Sequence, residues 1–464
     1  MLTKIRIQNF KGFEDVEIEL GQTVVLVGPN NSGKTTALQA LALWKVGVKL
    51  GVENGRFNGR KNDNTGMILS RRDLLEIPIP AANLLWQNLI IRNGKKNRRI
   101  EISVWGTSNG VDWQIKVELA YSNPEILNCY INLDENSDRD IVEFFVMHGL
   151  ELAFLPPMSG LIANELRVDP GAINVRLGEG RTAEVLRNLC YYLYEETEIY
   201  GSNPYWNKIV ELIWTLFNIE LQDPYYDSSR GEITMSYIKN DISFDISTSG
   251  RGQLQTLLLL AFLYSNPGSI ILLDEPDAHL EIIRQREIYR LIKTVVAETN
   301  SQLIIASHSE VILNEAIDDG LVIGFVGKPH RLATSGDLAQ VRKSLNRIPA
   351  EDYLQAEETG WVLYLEGSTD LSILQKFALK LNHSAKNYLS NCFVRYIGNQ
   401  FSQAQDHFFG LHFSHRNLKA IVILDHPKGP LPKGDNSNLQ ALFWKRNEIE
   451  NYFTSEKVLL EFAK

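Results

Sequence analysis

The first 27 residues alternate between apolar and polar positions and end in a continuous apolar run. Alternation over Leu2–Phe10 and Val16–Leu20 predicts two strands, and the apolar run Thr23–Val27 predicts a buried strand that ends at a glycine. From Gly33 to about Trp44 the apolar residues recur at helical spacing, which predicts a helix. The opening of the chain is therefore typical of a strand, a loop and a helix in succession.

The pattern between positions 56 and 245 is less regular, and we interpret this region as an insert of helices and strands. Amphipathic spacing predicts helices near Arg71–Leu75 and Ala81–Ile91. The basic run at positions 92–99 predicts a solvated hairpin rather than a DNA contact. Further expected elements are strands at Arg99–Trp105 and Trp113–Ala120, a strand from Leu152, and helices at Thr182–Tyr194 and Tyr205–Phe217.

After Gly250 the pattern alternates helices with strands. It predicts a helix that carries Leu254–Tyr264, a continuously apolar strand at Ile270–Leu273 and another strand at Gln302–Ala306. Such alternation is typical of a sheet core with parallel strands. The predicted fold class is therefore α/β.

A polar stretch that carries no motif separates this region from a smaller one. We expect a first domain at 1–335, a linker at 336–354 and a second, smaller α/β domain at 355–464. The expected strands of the second domain are Trp361–Leu365, Phe393–Ile397 and Ala420–Leu424.

Composition narrows the class of protein. The chain has 464 residues, of which 44% are apolar and 22% charged, and these proportions are typical of a soluble globular protein. Its apolar runs are shorter than the ~20 residues of a membrane span, and three scattered cysteines fit no metal-ligand spacing. We expect a cytoplasmic protein with no membrane contact. The net charge of −9 argues against a surface that coats nucleic acid, although a local basic patch stays compatible with it.

The loop after the third expected strand has the spacing of a phosphate-binding loop. From position 28 it reads Gly-Pro-Asn-Asn-Ser-Gly-Lys-Thr-Thr. Glycines let backbone N–H groups surround a β-phosphate, and the positive end of the following helix points at the same place. We expect Lys34 to bridge the β and γ phosphates and Thr35 to bind Mg²⁺. The predicted ATP-binding residues are Gly28, Asn30, Asn31, Ser32, Gly33, Lys34, Thr35 and Thr36.

The apolar strand from Ile270 ends in two adjacent acids. Asp274 is expected to hold Mg²⁺ together with Thr35, and Glu275 is expected to polarise the attacking water as a general base. His308 follows the next expected strand, from where it could reach the γ-phosphate. These residues predict ATP hydrolysis with Glu275 and His308 in catalytic roles.

Taken together, these motifs resemble the ABC-type ATPase heads of the RecF, SMC and OLD (overcoming lysogenisation defect) group. The resemblance lies in Ile5–Phe13, Gly28–Thr36, Ser249–Gly250, Ile270–Pro276 and Ser307–His308. It implies a P-loop ATPase head with a mixed sheet, an insert at about 56–245 and a region from signature to switch at 247–309.

The same resemblance implies that two heads pair. In that group a Ser-Gly signature contacts the γ-phosphate bound to the opposite head, and the matching residues here are Ser249 and Gly250. A homodimer or higher homo-oligomer is therefore expected. Arg251 stands where transporters have glycine, which is closer to the RecF and OLD variants.

The second domain carries acids at the ends of its expected strands. Glu366 follows the first strand, Asp370 lies in the next helix, and Asp425 follows a later strand. Three carboxylates at one sheet edge can hold Mg²⁺ for phosphodiester chemistry. This order resembles the TOPRIM domain of OLD-family nucleases, except that Pro427 stands where a second aspartate is expected. We favour a degenerate TOPRIM-like domain over an active one.

These observations leave three interpretations of function. The first is a DNA-related ATPase of bacterial genome defence or repair, similar to ATPases of antiviral systems such as Septu and Gabija. The second is an ATP-regulated endonuclease that cuts DNA with its own carboxylates. The third is a non-nucleolytic scaffold whose ATP state recruits a partner nuclease or effector protein.

Overall fold

The computed structural model describes residues 1–28, 32–56, 66–94, 96–108, 110–133, 151–198, 204–278, 280–325, 328–332, 350–390, 392–414, 417–426, 438–453 and 456–462. The chain divides into two compact units, Met1–Arg331 and Leu332–Lys464. None of the helices within the described ranges combines the length and the hydropathy of a membrane span.

The first unit contains several sheets and the helices between them. Its strands are β1 (Leu2–Phe10), β2 (Phe13–Glu19), β3 (Thr23–Val27), β4 (Met67–Ser70), β5 (Arg92–Asn93), β6 (Lys96–Asn97), β7 (Ile100–Ser108), β8 (Val111–Asn123), β9 (Ile126–Leu133), β10 (Leu152–Leu155), β11 (Glu165–Leu166), β12 (Glu220–Leu221), β13 (Tyr225–Asp227), β14 (Glu232–Thr234), β15 (Ser236–Lys239), β16 (Ile242–Asp245), β17 (Ile270–Asp274), β18 (Gln302–Ser307), β19 (Leu321–Gly324) and β20 (His330–Arg331). Its helices are α1 (Lys34–Glu53), α2 (Pro170–Gly178), α3 (Leu186–Glu198), α4 (Tyr205–Phe217), α5 (Arg251–Tyr264), α6 (Ile282–Glu298) and α7 (Glu310–Asp319).

The central sheet of this unit has the order β10-β17-β18-β3-β19-β20. All neighbouring strands are parallel except β19 and β20, so the sheet is mixed. Every residue of β17 and β18 is buried, as expected for apolar strands that are covered on both faces. The predicted α/β class and mixed sheet are confirmed.

A second sheet of six antiparallel strands has the order β2-β1-β7-β8-β9-β4. Helix α1 packs against strands of both sheets. Because it lies between them, its apolar residues from Ala37 to Trp44 are buried, and each large one contributes about 1.5–3 kcal/mol relative to an exposed position. This packing fixes the start of α1, where the nucleotide site begins. The buried residues of α1 include Ala37, Leu38, Ala40, Leu41, Ala42, Leu43 and Trp44.

Two of the expected helices are wrong. The segments near positions 71–75 and 81–91 contain only single turns of 3-10 helix, at Arg71–Asp73, Ala82–Leu85 and Gln87–Leu89. Pro78 and Pro80 stand between them and break any longer helix, while Asn88 has a φ of 55° inside the last turn. Conversely, α1 continues to Glu53, well beyond its expected end.

The second unit is a four-stranded parallel sheet with the order β22-β21-β23-β24. The first described helix of this unit begins at Ala350, inside the stretch 336–354 that was expected to be a linker. The strands are β21 (Trp361–Leu365), β22 (Phe393–Tyr396), β23 (Lys419–Leu424) and β24 (Leu439–Phe443), and the helices are α8 (Ala350–Thr359), α9 (Ser368–Lys380), α10 (Ala385–Leu389), α11 (Phe401–Ser414) and α12 (Glu456–Phe462).

A buried polar network ties α8 to the core of the second unit. Tyr364 is hydrogen-bonded to His407 Nδ1 at 2.8 Å, and His407 Nε2 lies 3.0 Å from the Asp352 carboxylate. Arg395 forms an ion pair with the same carboxylate. Burial raises the pKa of Tyr364, so its hydroxyl stays protonated and contributes a neutral member to the network.

Candidate functional site

The loop between β3 and α1 requires glycine at two positions, for different reasons. A Cβ on Gly28 would lie 2.8 Å from the backbone oxygen of Phe325, so the close approach of two backbones excludes a side chain. Gly33 has a φ of 105°, and its Cβ would lie 2.6 Å from the ring of Phe13. Pro29, Asn30 and Asn31 lie outside the described residues.

Lys34 is the first residue of α1 and directly follows Gly33 of the loop. Its side chain is 5% exposed, and Nζ donates a hydrogen bond to the Gly28 carbonyl at 2.7 Å. Burial lowers the pKa of Lys34, and the nearby carboxylates, Glu275 foremost, oppose that shift. The ammonium group is therefore held beside both the loop and the acids of β17.

Thr35 and Asp274 are in direct contact, although they lie 239 positions apart in the chain. The Thr35 hydroxyl donates to the two carboxylate oxygens of Asp274 at 3.0 and 2.9 Å. Burial raises the pKa of Asp274 to about 6, and the hydrogen bond from Thr35 acts in the opposite direction. A hydroxyl and a carboxylate are oxygen donors of the kind that Mg²⁺ prefers, so this pair fits the ion.

Glu275 immediately follows β17 and has an unusual backbone conformation. Its φ is 50°, and its backbone N–H donates to the Ala306 carbonyl at 2.8 Å. The carboxylate lies 3.2 Å from His308 Nδ1, and both side chains are partly exposed. Because β17 and β18 are parallel neighbours, their carboxyl ends bring these two residues together.

A buried hydrogen-bond network supports both sides of His308. Ser307 Oγ donates to Asp277 at 2.9 Å and accepts from the Ser309 backbone N–H at 2.9 Å. The Ser309 hydroxyl in turn donates to Gln285 at 2.6 Å. Burial raises the pKa of Asp277. Sequence reasoning missed these contacts, although Ser307 belongs to the motif Ser307–His308 and Asp277 directly follows the motif Ile270–Pro276.

The loop, Lys34 and Glu275 line one cavity of about 700 Å³. Its wall also includes Gly12 and Phe13, from the turn between β1 and β2, which sequence reasoning did not assign to the site. The sequence indicated them only through their position in Ile5–Phe13, the amino-terminal stretch that resembles the ATPase heads. The lining residues are Gly12, Phe13, Ser32, Gly33, Lys34, Thr35, Thr36 and Glu275.

Ser249 and Gly250 lie at the start of α5, outside that lining as far as the structure describes the chain. Gly250 is the N-cap of α5, and Ser249 Oγ is buried without a hydrogen-bond partner among the described residues. Farther along α5, Gln255 Nε2 donates to the Pro276 carbonyl at 3.1 Å. This contact connects the helix to the segment that follows Glu275.

The three acids of the second unit lie close together at the carboxyl ends of β21 and β23. Asp370 accepts a hydrogen bond from the Glu366 backbone N–H at 3.2 Å. Burial, together with hydrogen bonding to and repulsion from Glu366, raises the pKa of Asp425 to about 7. Glu448 adds further repulsion.

The described residues contain no group of three or more His, Cys, Asp or Glu side chains arranged to hold a metal ion. Pro427 lies outside the described residues. The three predicted ligands Glu366, Asp370 and Asp425 are therefore neighbours, but their arrangement does not by itself form an ion site.

Two family models match the chain. Residues 1–153 match the "AAA ATPase domain", and residues 223–314 match the "AAA domain, putative AbiEii toxin, Type IV TA system". The first match contains the loop from Gly28 to Thr36, and the second contains Ser249, Asp274, Glu275 and His308.

Individual proteins resemble parts of the chain. A 43-residue segment is 44% identical to the OLD nuclease of Thermus scotoductus and covers 9% of this chain and 8% of that nuclease. The zinc import ATP-binding protein ZnuC of Ehrlichia chaffeensis is 26% identical over 203 residues, which cover 41% of this chain and 78% of ZnuC.

Among solved structures, the Smc head domain of Pyrococcus furiosus, bound to the C-terminal domain of ScpA, is 15% identical to this chain. The superposition covers 75% of this chain and 98% of that one, with a TM-score of 0.42. The phosphate-binding loop and the acids Asp274 and Glu275 thus lie within the two stretches of the first unit that match AAA ATPase domain models.

Proposed function

We propose that the first unit binds ATP in the cavity beside α1 and hydrolyses it to ADP and phosphate. The contact between the Thr35 hydroxyl and the Asp274 carboxylate supports this proposal most directly. The contact joins two motifs that are far apart in the chain, and it lies next to Lys34 and Glu275. An oxygen pair for Mg²⁺, a cation for phosphates and a partly exposed carboxylate for water are the components that phosphoryl transfer to water requires.

Each residue has a separate role in this proposal. Lys34 leaves the Gly28 carbonyl and neutralises the β and γ phosphates, while Thr35 and Asp274 would hold Mg²⁺. The ion, when bound, neutralises charge that develops on the phosphate oxygens. Glu275 accepts a proton from the attacking water, and His308, in contact with Glu275, orients that carboxylate and reaches toward the γ-phosphate.

The test uses two variants that separate binding from hydrolysis. Lys34→Ala should abolish ATP binding, because the phosphates lose their nearest positive charge. Glu275→Gln should bind ATP like the parent and hydrolyse it at least about a hundredfold more slowly, since general-base catalysis contributes roughly 10²–10⁴-fold. Titration with a fluorescent ATP analogue and a phosphate-release assay measure the two quantities.

Lys49→Ala is the matched control for the first variant, because Lys49 lies on the same helix and is exposed. It should bind and hydrolyse ATP like the parent. Unchanged ATP affinity in Lys34→Ala, or parental turnover in Glu275→Gln, would contradict the assigned roles.

We further propose that two heads pair around ATP, with Ser249 and Gly250 of one chain completing the site of the other. One feature supports this arrangement: Ser249 and Gly250 lie outside the described lining of the cavity beside Lys34. A DNA-directed role in defence or repair is part of this proposal, and the similarity of one 43-residue segment to the OLD nuclease supports it. A homodimer is the smallest assembly in which one chain can complete the ATP site of another.

A second candidate function is Mg²⁺-dependent cleavage of DNA by the second unit. The observation that favours it is the convergence of Glu366, Asp370 and Asp425 at adjacent strand ends. Pro427 argues against it, because proline offers no side-chain oxygen where a further ligand is expected. We therefore favour a unit that does not cut DNA and that recruits a partner nuclease or effector protein.

Incubation of the purified protein with plasmid DNA and Mg²⁺ or Mn²⁺, with and without ATP, separates the two functions. The favoured proposal expects intact plasmid in every reaction. Metal-dependent nicking that disappears in both Glu366→Ala and Asp425→Ala would instead establish the nuclease, and Glu448 and Glu450 would then be the first replacement ligands to mutate.

A further inference from the structure

The insert of the first unit contains a fully buried arginine that the proposed mechanism does not use. Arg187 lies on α3 and is 1% exposed. Its backbone N–H donates to the Glu165 carboxylate at 3.0 Å, and its Nη1 donates to the Ile162 carbonyl at 3.0 Å. Moving a guanidinium out of water is energetically costly, so the carboxylate that pairs with the charge of Arg187 is important for this site.

That carboxylate belongs to Asp245, the last residue of β16. Arg187 Nη2 donates to Asp245 Oδ1 at 3.3 Å. The same oxygen accepts the Ser247 backbone N–H at 2.8 Å and so caps the 3-10 turn Ile246–Thr248. One carboxylate oxygen therefore holds both the insert helix α3 and the turn.

The capped turn leads directly to the signature residues. The Ser249 backbone N–H donates to the Ile246 carbonyl at 3.0 Å, and the Thr248 hydroxyl donates to the Asp245 carbonyl at 2.7 Å. Helix α5 begins two residues later, at Arg251. The position of Ser249 is thus set by a turn of three residues whose first anchor is Asp245.

The charge state of Asp245 fits this role. Partial burial alone would raise the pKa of Asp245, but hydrogen bonds from Ser247 and the charge of Arg187 keep the pKa below its ordinary value. The carboxylate is therefore ionised at neutral pH and remains available to both donors.

We propose that Arg187 is a positioning residue that, through Asp245, fixes the signature turn in the geometry needed to close the nucleotide site of a second head. This inference rests on the proposed pairing of heads. It assigns to the insert, which carries α3, a part in ATP-dependent assembly. Arg187 itself does not contact the nucleotide.

The test measures ATP-dependent pairing in the hydrolysis-deficient Glu275→Gln protein. Asp245→Asn removes the charge that pairs with Arg187 and keeps an oxygen that can cap the turn. Arg187→Lys keeps the charge but loses the two-pronged geometry of the guanidinium. Each variant should weaken ATP-dependent dimerisation roughly tenfold, as expected for the loss of a charge-assisted hydrogen bond. Analytical ultracentrifugation with ATP measures this, and fluorescent ATP binding to monomers at low protein concentration should stay unchanged.

Asp227→Asn is the matched control. Asp227 also accepts the backbone N–H of a serine two residues later, at 2.9 Å, and pairs with a nearby arginine, but its turn does not lead to Ser249. It should leave dimerisation at the parental value. Thermal melting of all variants identifies any that fail to fold, and either Asp245→Asn or Arg187→Lys alone suffices for the test.

Ser249→Arg separates failure of this inference from failure of the proposed function. If Ser249→Arg abolishes pairing while Asp245→Asn and Arg187→Lys pair like the parent, the positioning role is wrong and the trans site stands. If Ser249→Arg also pairs like the parent, the trans arrangement itself is wrong, and the positioning role falls with it.

Discussion

At the scale of single residues, the nucleotide site depends on backbone positions that tolerate no side chain. Gly33 combines a left-handed φ with a close approach to Phe13, whose ring also lines the cavity. Since Gly33 is the N-cap of α1, any shift at this position also moves Lys34 and Thr35. The glycine is therefore required by both conformation and packing.

The first prediction concerns this position. Gly33→Ala should weaken ATP binding at least about tenfold, because a left-handed alanine costs roughly 1–2 kcal/mol before the contact with Phe13 is counted. Titration with a fluorescent ATP analogue measures the change. Gly21→Ala is the control, since a Cβ on Gly21 meets no atom within 4 Å, and its affinity should match the parent. Parental affinity in Gly33→Ala would show that the loop adapts freely.

At the scale of secondary structure, α1 is the element that joins the two large sheets. Gly47 lies in this helix where it meets the antiparallel sheet, and a Cβ there would lie 2.5 Å from a methyl group of the buried Val117. A β-branched residue in a strand has little freedom to move away. The close packing of α1 therefore depends on a small residue at this point.

Gly47→Ala should lower the thermal midpoint of the first unit, because overpacking costs about 1–3 kcal/mol and outweighs the better helix propensity of alanine. Gly171→Ala in α2 should have the opposite sign, since nothing lies within 4 Å of its added Cβ. Differential scanning calorimetry compares the two. Equal midpoints for both variants would contradict the proposed contact.

Local periodicity was sufficient to predict the elements that carry the site. Continuous apolar runs predicted β3 and β17, and the loop motif predicted the start of α1. Contacts between distant segments could not be predicted in this way. Strand β1 pairs with β7, about a hundred positions later, and nothing in either segment specifies that partner. Phe13 lies in the cavity because the start of β2 meets the loop after β3, and this contact between separate segments was missed as well.

Two failures have local causes. Amphipathic spacing predicted helices around positions 71–91, but it ignored two prolines and an asparagine that adopts a positive φ. The short strands β12–β16 escaped detection because segments of two to four residues are too short to show a period. One of these strands ends at Asp245, so the anchor of the signature turn was also invisible in the sequence.

At the scale of the whole molecule, the proposed function requires residues from two copies of the chain. Mixing Lys34→Ala protein with Ser249→Arg protein should restore ATP hydrolysis, because a mixed dimer contains one site with both an intact loop and an intact signature. Each variant alone should be inactive. A phosphate-release assay across mixing ratios measures the recovery, and native mass spectrometry verifies that mixed dimers form. Inactive mixed dimers would contradict the trans arrangement.

The order of strands in the central sheet has a consequence for how the chain folds. Strand β3 is synthesised almost 300 residues before its two neighbours, β18 and β19. Until then neither edge of β3 is hydrogen-bonded to a neighbouring strand. The carboxylate of Asp274, which contacts Thr35 in the folded chain, is also far from the loop. Pairings of such sequence separation fold slowly, and their exposed edges favour aggregation. The nascent chain is thus expected to depend on chaperones until β18 emerges. It is expected to bind nucleotide only after β18 and β19 have paired with β3.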